Sequence, residues 1–309
     1  MRKLSAFLLT AAFALLAGCA VPASTVPETS SVPEISSASE AVSAVTDGSS
    51  AAGSAPSGDS VSETPSASTP SSPASSAPAS ESAAEETVRV TIPEGFTVLQ
   101  ICARLEANGI CSGQEFFEAS QAYEPSSFTV PEDENRAYKM EGYLFPATYE
   151  FQTNSDPTDV LITMLNAYRA NAGDLTDEQL IVASIVERES RSEENAALVA
   201  SVIYNRLEAG MPLQMDSTRE YVNASITDSP YLTDTERFAA LYNTYKCEAL
   251  PAGPICCPGT RAMNAALHPA DTEYYYFFFG NDNQNHYSST LEEHEALMAE
   301  YGVQFGGED

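Results

Sequence analysis

Residues 181–190 read IVASIVERES, an aliphatic run that closes on two glutamates separated by one arginine. How the rest of the chain is read depends on which of these carboxylates works. The run follows TDEQ at residues 176–179, which carries the side chains of a capping box, so a helix is expected to start there. At about 100° per residue, Val182, Ile185, Val186 and Glu189 fall within about a third of the helix circumference, while Glu187 points roughly 160° away. Glu189 therefore lies in an aliphatic stripe and Glu187 on another face. A carboxyl among aliphatic groups is costly to ionise, which keeps it protonated nearer neutrality and available as a proton donor. A glutamate at a helix end also suits two plainer roles, reaching out to water or pairing with Arg206, and periodicity alone leaves these open.

Working outward, residues 157–172 have helical character, and residues 140–151, MEGYLFPATYEF, read as aromatic-rich and extended, with Pro146 opposing a helix. Aromatic faces suit sugar rings, and they suit a protein core equally. Alternation at Val88, Val90 and Ile92 predicts a strand, punctuated by Pro93 and Gly95. Thr97 is placed to cap a helix carrying Val98, Ile101 and Leu105, and a second helix is expected over residues 113–122. Strand, turn and two helices form the pattern of a small binding module. Downstream, Gly210 reads as a helix stop and residues 274–279, YYYFFF, as a buried strand.

The chain has 14 basic residues against 44 acidic, a formal net charge of −30. That balance opposes nucleic acid, whose phosphates would be repelled, and electrostatic capture of anionic polymers. At the start, Arg2 and Lys3 precede a short apolar run that ends in LAGC at residues 16–19. The run is short for a membrane span and reads as an export signal. Its end resembles the lipobox of bacterial lipoproteins, which implies cleavage before Cys19 and lipid on its sulfur. An ordinary signal peptide and an uncleaved anchor are the alternatives. Residues 20–86 are Ser, Ala, Pro, Thr and Glu with nine acidic and no basic residues, a composition that buries too little to order itself. This stretch is expected to be a disordered tether. Beyond Cys19 stand Cys102, Cys111, Cys247, Cys256 and Cys257, an odd set read as buried thiols with one or two bridges. Neither they nor His268, His286 and His294 show metal-ligand spacing, so no metal or cofactor is expected.

Six blocks carry a resemblance: EGYLFPATY (141–149), ASIVERES (183–190), residues 197–222 with LQMDST, residues 242–259 with YNTYKCEALPAGPICCPG, ALHPA (266–270) and NHYSSTLEEH (285–294). In order and spacing they resemble the YceG-like (MltG) family of endolytic murein transglycosylases, over essentially all of the chain from about Val88. The resemblance implies an α+β fold, with a small LysM-like subdomain at residues 87–135 followed by a mixed α/β catalytic domain at 136–305. It implies that the second glutamate of the ASIVERES block, Glu189, is the catalytic acid. The implied reaction cuts the β-1,4 bond between N-acetylmuramic acid and N-acetylglucosamine inside nascent glycan strands and leaves a 1,6-anhydromuramoyl end. Substrate-binding candidates are Gln214 and Asp216, with helix capping open for Asp216, then Asn243, Thr244 and Tyr245, with a turn role open. His286 and Tyr287 are candidates at the end of the aromatic strand, and Glu141 and Tyr143 on the cleft wall.

The lipobox resemblance implies a lipid-anchored place on the extracytoplasmic face of a bacterial membrane, and the family resemblance implies work there beside glycan-polymerising penicillin-binding proteins. The sequence departs from the family pattern in three ways: Ser217 stands where a proline is usual, Cys257 where an asparagine is usual, and there is no tryptophan. Two rival readings stay open, a muramidase that uses water on the same bond and a non-catalytic wall-binding lipoprotein. Neither a Ser-x-x-Lys nor a Gly-x-Ser-x-Gly nucleophile motif occurs.

Overall fold

The alternating valines near residue 88 form strand β1, Thr87–Thr91, and its antiparallel partner β2, Thr148–Gln152, comes from far along the chain. The computed structural model describes residues 86–304. The expected export signal, the lipidated Cys19 and the linker up to residue 85 lie outside the described residues. Between the two strands run α1, Val98–Ala107, and α2, Gly113–Ala122. Thr97 and Gln100 close a reciprocal capping box on α1, which turns Val98, Ile101, Cys102 and Leu105 into the core. Ser112 caps α2 through the Glu115 N–H.

The stretch expected to be extended over residues 140–151 is strand only from Thr148 onward. Residues 140–143 form a turn because Gly142 takes φ +87° with its α-carbon pressed on Pro254; a Cβ there would stand 2.6 Å from Pro254 Cβ. Tyr143, Tyr149 and Phe151 face the core and offer no open sugar platform. The segment before residue 135 and the one after it share this core: β1 pairs with β2, the Gly95 N–H donates to the Cys257 carbonyl at 2.9 Å, and the Cys257 N–H donates to the Phe96 carbonyl at 2.8 Å.

Next comes α3, Pro157–Ala172, capped by Asp156 with proline at its first position, where no N–H is needed. Then follow α4, Asp177–Glu189, and α5, Glu193–Glu208. The short α6, Asp216–Tyr221, runs into a π-helical turn, Val222–Ile226. After it come α7, Thr235–Tyr242, and α8, Thr260–Leu267. A hairpin of β3, Tyr276–Phe279, and β4, Asn285–Ser288, leads to α9, Leu291–Glu300. Strands confined to two small antiparallel sheets among many helices make the fold α+β.

The aromatic run 274–279 departs from expectation. Only its last four residues are strand, none of the six is buried, and Phe279 is 62% exposed, because a two-stranded hairpin leaves part of its surface uncovered. Helix α4 is the opposite case. Every residue from Leu180 to Val186 is buried, since α8, α5 and α6 pack around it. Each fully buried aliphatic side chain contributes about 1.5–3 kcal/mol, so α4 is held in place along its length and its last turn is fixed.

No bridge forms among the five described cysteines, contrary to the expectation of one or two. Cys102, Cys256 and Cys257 are buried as small apolar groups; burial pushes the Cys102 thiol up to about 12 and the half-buried Cys111 up to about 11, far from the reactive thiolate. Among the described residues no helix is long and apolar enough to cross a membrane, and no cluster of three or more His, Cys, Asp or Glu is placed to hold a metal ion.

Candidate active site

The last turn of α4 presents both glutamates, and their surroundings separate them. Glu187 is engaged on both oxygens: Oε1 meets Arg261 of α8 at 2.7 Å, and Oε2 accepts the Gly259 N–H at 3.0 Å. A side chain at position 259 would collide with Glu94, so a glycine is what lets this N–H approach. Burial raises the Glu187 carboxyl, while the Gly259 N–H and Arg261 pull it back. It is a paired structural carboxylate.

Glu189 is half-buried, one and two turns from residues without exposure, Ile185, Val186 and Val182. Its Oε1 accepts the Ser217 N–H at 3.2 Å. Among the described residues no basic side chain lies within ion-pair distance of it; Arg206, the one partner weighed from sequence, is occupied elsewhere. Burial pushes the Glu189 carboxyl above the ordinary range; the Ser217 hydroxyl and N–H oppose this, and the negative Asp216 and Glu220 push it further up. The C-terminal end of α4 adds partial negative charge, which also disfavours ionisation. Glu189 is thus the carboxyl of the pair that lacks a cation and favours its proton.

Around it the structure brings together part of the expected set. Gln214 is exposed, with φ +50°, and its N–H donates to the Thr244 carbonyl at 3.1 Å. Asp216 is exposed in the first turn of α6, without a capping bond; it accepts from the Tyr245 hydroxyl at 2.9 Å and pairs with Arg219 at 3.0 Å. Tyr245 is half-exposed, with the Arg219 guanidinium 5.4 Å over its ring. Asn243 is at the edge of burial and accepts the Tyr245 N–H at 3.0 Å, which holds the turn.

Five expected contacts fall elsewhere. Thr244 has no exposure: its Oγ1 accepts the Met215 N–H at 2.8 Å and meets Thr218 Oγ1 at 2.9 Å, stapling two loops rather than facing a sugar. Glu141 has no exposure either and accepts from the Val98 N–H and the Tyr221 hydroxyl, both at 3.1 Å. Tyr143 is buried with its hydroxyl donating to Asp177 at 2.5 Å and its ring stacked on Phe128. Neither forms a cleft wall, because the turn at Gly142 directs both inward. His286 lies in β4 opposite Phe278, with a ring nitrogen 3.1 Å from Asp282 and the ring against Phe278 and Tyr301. Tyr287 donates to Asn195 on the first turn of α5 at 3.2 Å, tying the hairpin to the helix that follows Glu189.

Two residues shape the site in ways the sequence did not signal. Arg206 donates to the carbonyls of Pro212, Leu213 and Tyr275 at 3.2, 2.7 and 2.6 Å, fixing the loop that carries Gln214. Ser217 supplies the Glu189 contact through its backbone, which no side-chain pattern signals. Two recesses of about 440 and 380 Å³ lie beside α9 and beside the α1–α2 turn, and neither includes Glu189.

An α+β domain built around one buried helix whose last turn carries a half-buried glutamate without a cation is the class the fold and site define, and the comparisons give its family. Residues 70–300 match the model of the YceG-like family, more than half of the chain, and the chain belongs to that family. It is 30% identical over 234 residues to a Bacillus subtilis protein named endolytic murein transglycosylase, covering 69% of this chain and 65% of that one. It is 27% identical over 243 residues to a Streptococcus pneumoniae protein of the same name, covering 69% of this chain and 44% of that one. The chain therefore matches less than two thirds of the length of these relatives. A crystal structure of a yceG-like protein from Listeria monocytogenes superimposes with a TM-score of 0.58 at 30% identity, over 68% of this chain and 75% of that one.

Proposed function

We propose that this protein is a peptidoglycan lytic transglycosylase that cuts inside glycan strands with Glu189 as its one acid and base. The observation that carries the reading is the contrast within α4: Glu187 is neutralised by Arg261, whereas Glu189 is partly buried, without a cation, beside Asp216 and Glu220. The names of the similar Bacillus and Streptococcus proteins support it.

A glycoside hydrolase needs a second carboxylate to activate water or attack the sugar. A lytic transglycosylase needs one, because the muramic C6 hydroxyl of the bound sugar is the nucleophile, and an intramolecular hydroxyl has a high effective concentration. In the proposed cycle Glu189 gives its proton to the glycosidic oxygen as the bond from C1 to that oxygen breaks. The C6 oxygen closes on C1, and the Glu189 carboxylate takes the C6 hydroxyl proton, which restores the acid. No water is consumed. Gln214, Asp216 and Tyr245 stand on the exposed rim, where they would bond sugar hydroxyls or the acetamido group. A polymer gripped in mid-strand calls for an open surface, which fits a site outside the two recesses.

We read β1, α1 and α2, closed by β2, as the LysM-like unit, so that it ends with β2 rather than at residue 135. Export and lipid anchoring at Cys19 on the extracytoplasmic face, close to strand-polymerising penicillin-binding proteins, belong to the same proposal and are supported by the LAGC segment.

The test is digestion of uncrosslinked glycan by wild-type and Glu189→Gln protein, with products read by mass. Wild type is expected to yield anhydro ends, lighter by one water than reducing ends, and Glu189→Gln to lose roughly a thousandfold in rate. Reducing-end products would replace the lyase with a muramidase, and full activity of Glu189→Gln would remove Glu189 from the mechanism.

A further inference from the structure

We propose that Ser217 is the positioning residue of Glu189, holding Oε1 so that the proton to be transferred sits on Oε2. This rests on the reading of Glu189 as the acid. The Ser217 N–H is 3.2 Å from Glu189 Oε1. It belongs to the first turn of α6, where the helix has no use for its own N–H groups, so this donor is free for the contact. The Ser217 side chain is buried, at 4% residue exposure, and its Oγ makes no formed hydrogen bond among the described residues. A buried hydroxyl without a partner is costly to keep unless it has a task. It lies near enough to Glu189 to favour the carboxylate, and a hydroxyl rotates freely to donate.

The chemistry explains what a serine adds at a position where proline is usual. Burial, Asp216 and Glu220 all hold the proton on Glu189. When that proton leaves for the glycosidic oxygen, the carboxylate left behind needs donors, and Ser217 places its N–H and hydroxyl beside it. An N–H bonded to Oε1 also makes that oxygen the acceptor, which leaves Oε2 to carry the proton away from Ser217. The other charged or titratable groups near the site come from every element packed on it. Asp216, Arg219 and Glu220 stand on α6, Tyr245 on the loop after α7 and Arg206 on α5. Arg261 of α8 is committed to Glu187, and Arg188 on α4 itself to Glu220. None of the arginines neutralises Glu189, which leaves Ser217 as the group that favours its ionised form.

The experiment compares full-length wild type, Ser217→Ala, which removes the hydroxyl, and Ser217→Pro, which removes the N–H. Proline is tolerated in a helix's first turn. Carboxyl 13C titration, with the Glu189 signal assigned by its loss in Glu189→Gln, is set beside the pH profile of kcat/KM on uncrosslinked glycan. Ser217→Pro, which loses the N–H bond to Oε1, is expected to move the Glu189 titration upward by about one pH unit. Ser217→Ala is expected to move it in the same direction, because the hydroxyl can no longer turn to the carboxylate as it forms. The alkaline fall in kcat/KM moves with it, since a more weakly acidic Glu189 stays protonated to higher pH, and the plateau drops. An unmoved Glu189 titration in both variants, each with a native melting transition, overturns the proposal. If the proline variant fails to fold, the alanine variant decides alone by the same criterion. A titration that moves while the alkaline limb stays fixed upholds the role of Ser217 and overturns the reading of Glu189 as the catalytic acid.

Discussion

Glu187 and Glu189 stand two residues apart on α4, and burial raises both carboxyls. The helical projection separates them correctly by face, because side-chain direction on a helix is fixed by chain geometry alone. It says nothing about Arg261 or the Gly259 N–H, which arrive from another element and decide which carboxyl is neutralised. Arg261 also donates to Ser190 Oγ at 2.8 Å, so one guanidinium ties α8 to the end of α4. Arg261→Met should therefore strand Glu187 as a buried charge. A loss of about 2 kcal/mol is expected, below the figure for a wholly buried pair because Arg261 keeps some solvent contact. The double change Arg261→Met with Glu187→Gln should recover most of it. Urea unfolding of the two variants checks this; equal losses in both would mean that the pair is not what stabilises the junction.

At the scale of elements, α1, α2, α3 and α4 were legible because caps and 3.6-residue periodicity are local. The Thr176 and Gln179 box forms as its spacing suggests, and the cap expected at Thr97 forms and is closed into a second box by Gln100. Loop-to-loop contacts were not legible. Thr244 looks like a sugar contact from its neighbours Asn243 and Tyr245, yet it is a staple, and only the arrival of residues 215–218 beside it reveals that. Its Oγ1 satisfies the Met215 N–H and its N–H donates to Thr218 Oγ1 at 3.2 Å. Thr244→Val keeps the shape and removes the acceptor, leaving a buried N–H unpaired at about 1–3 kcal/mol. It should also loosen Asp216 and Ser217, so glycan cleavage falls although Glu189 is intact. Thermal unfolding and cleavage rate measured together test this, and unchanged stability would show that the staple carries no load. The YYYFFF run misled for a related reason: composition marks a strand without saying whether a second layer covers it.

Across the whole molecule, the pairing of β1 with β2 and the burial of Glu141 depend on segments distant in sequence. Glu141 was expected at a surface; instead it joins three parts of the fold, accepting from the first N–H of α1 and from Tyr221 of α6 while sitting in the turn before β2. Without a cation to pair with, burial pushes its carboxyl up to about 8, against an ordinary value of 4.5. The sign of the consequence follows from which state holds the proton. Below about pH 4.5 folded and unfolded chains are both protonated, and the contribution of Glu141 to stability is complete. Between about pH 4.5 and 8 the unfolded chain ionises while the folded one does not, so stability falls with rising pH, by at most about 1.4 kcal/mol per unit. Above that window the loss levels off. Glu141→Gln keeps an acceptor for the Val98 N–H and has no proton to exchange, so its stability should lose this slope. The difference between the wild-type and Glu141→Gln urea-unfolding curves, taken from pH 5 to pH 9, isolates Glu141 from the many surface carboxylates common to both. Parallel curves would mean that Glu141 is ionised in the folded protein at neutral pH, and that the junction of α1, α6 and the turn before β2 is held by a charge.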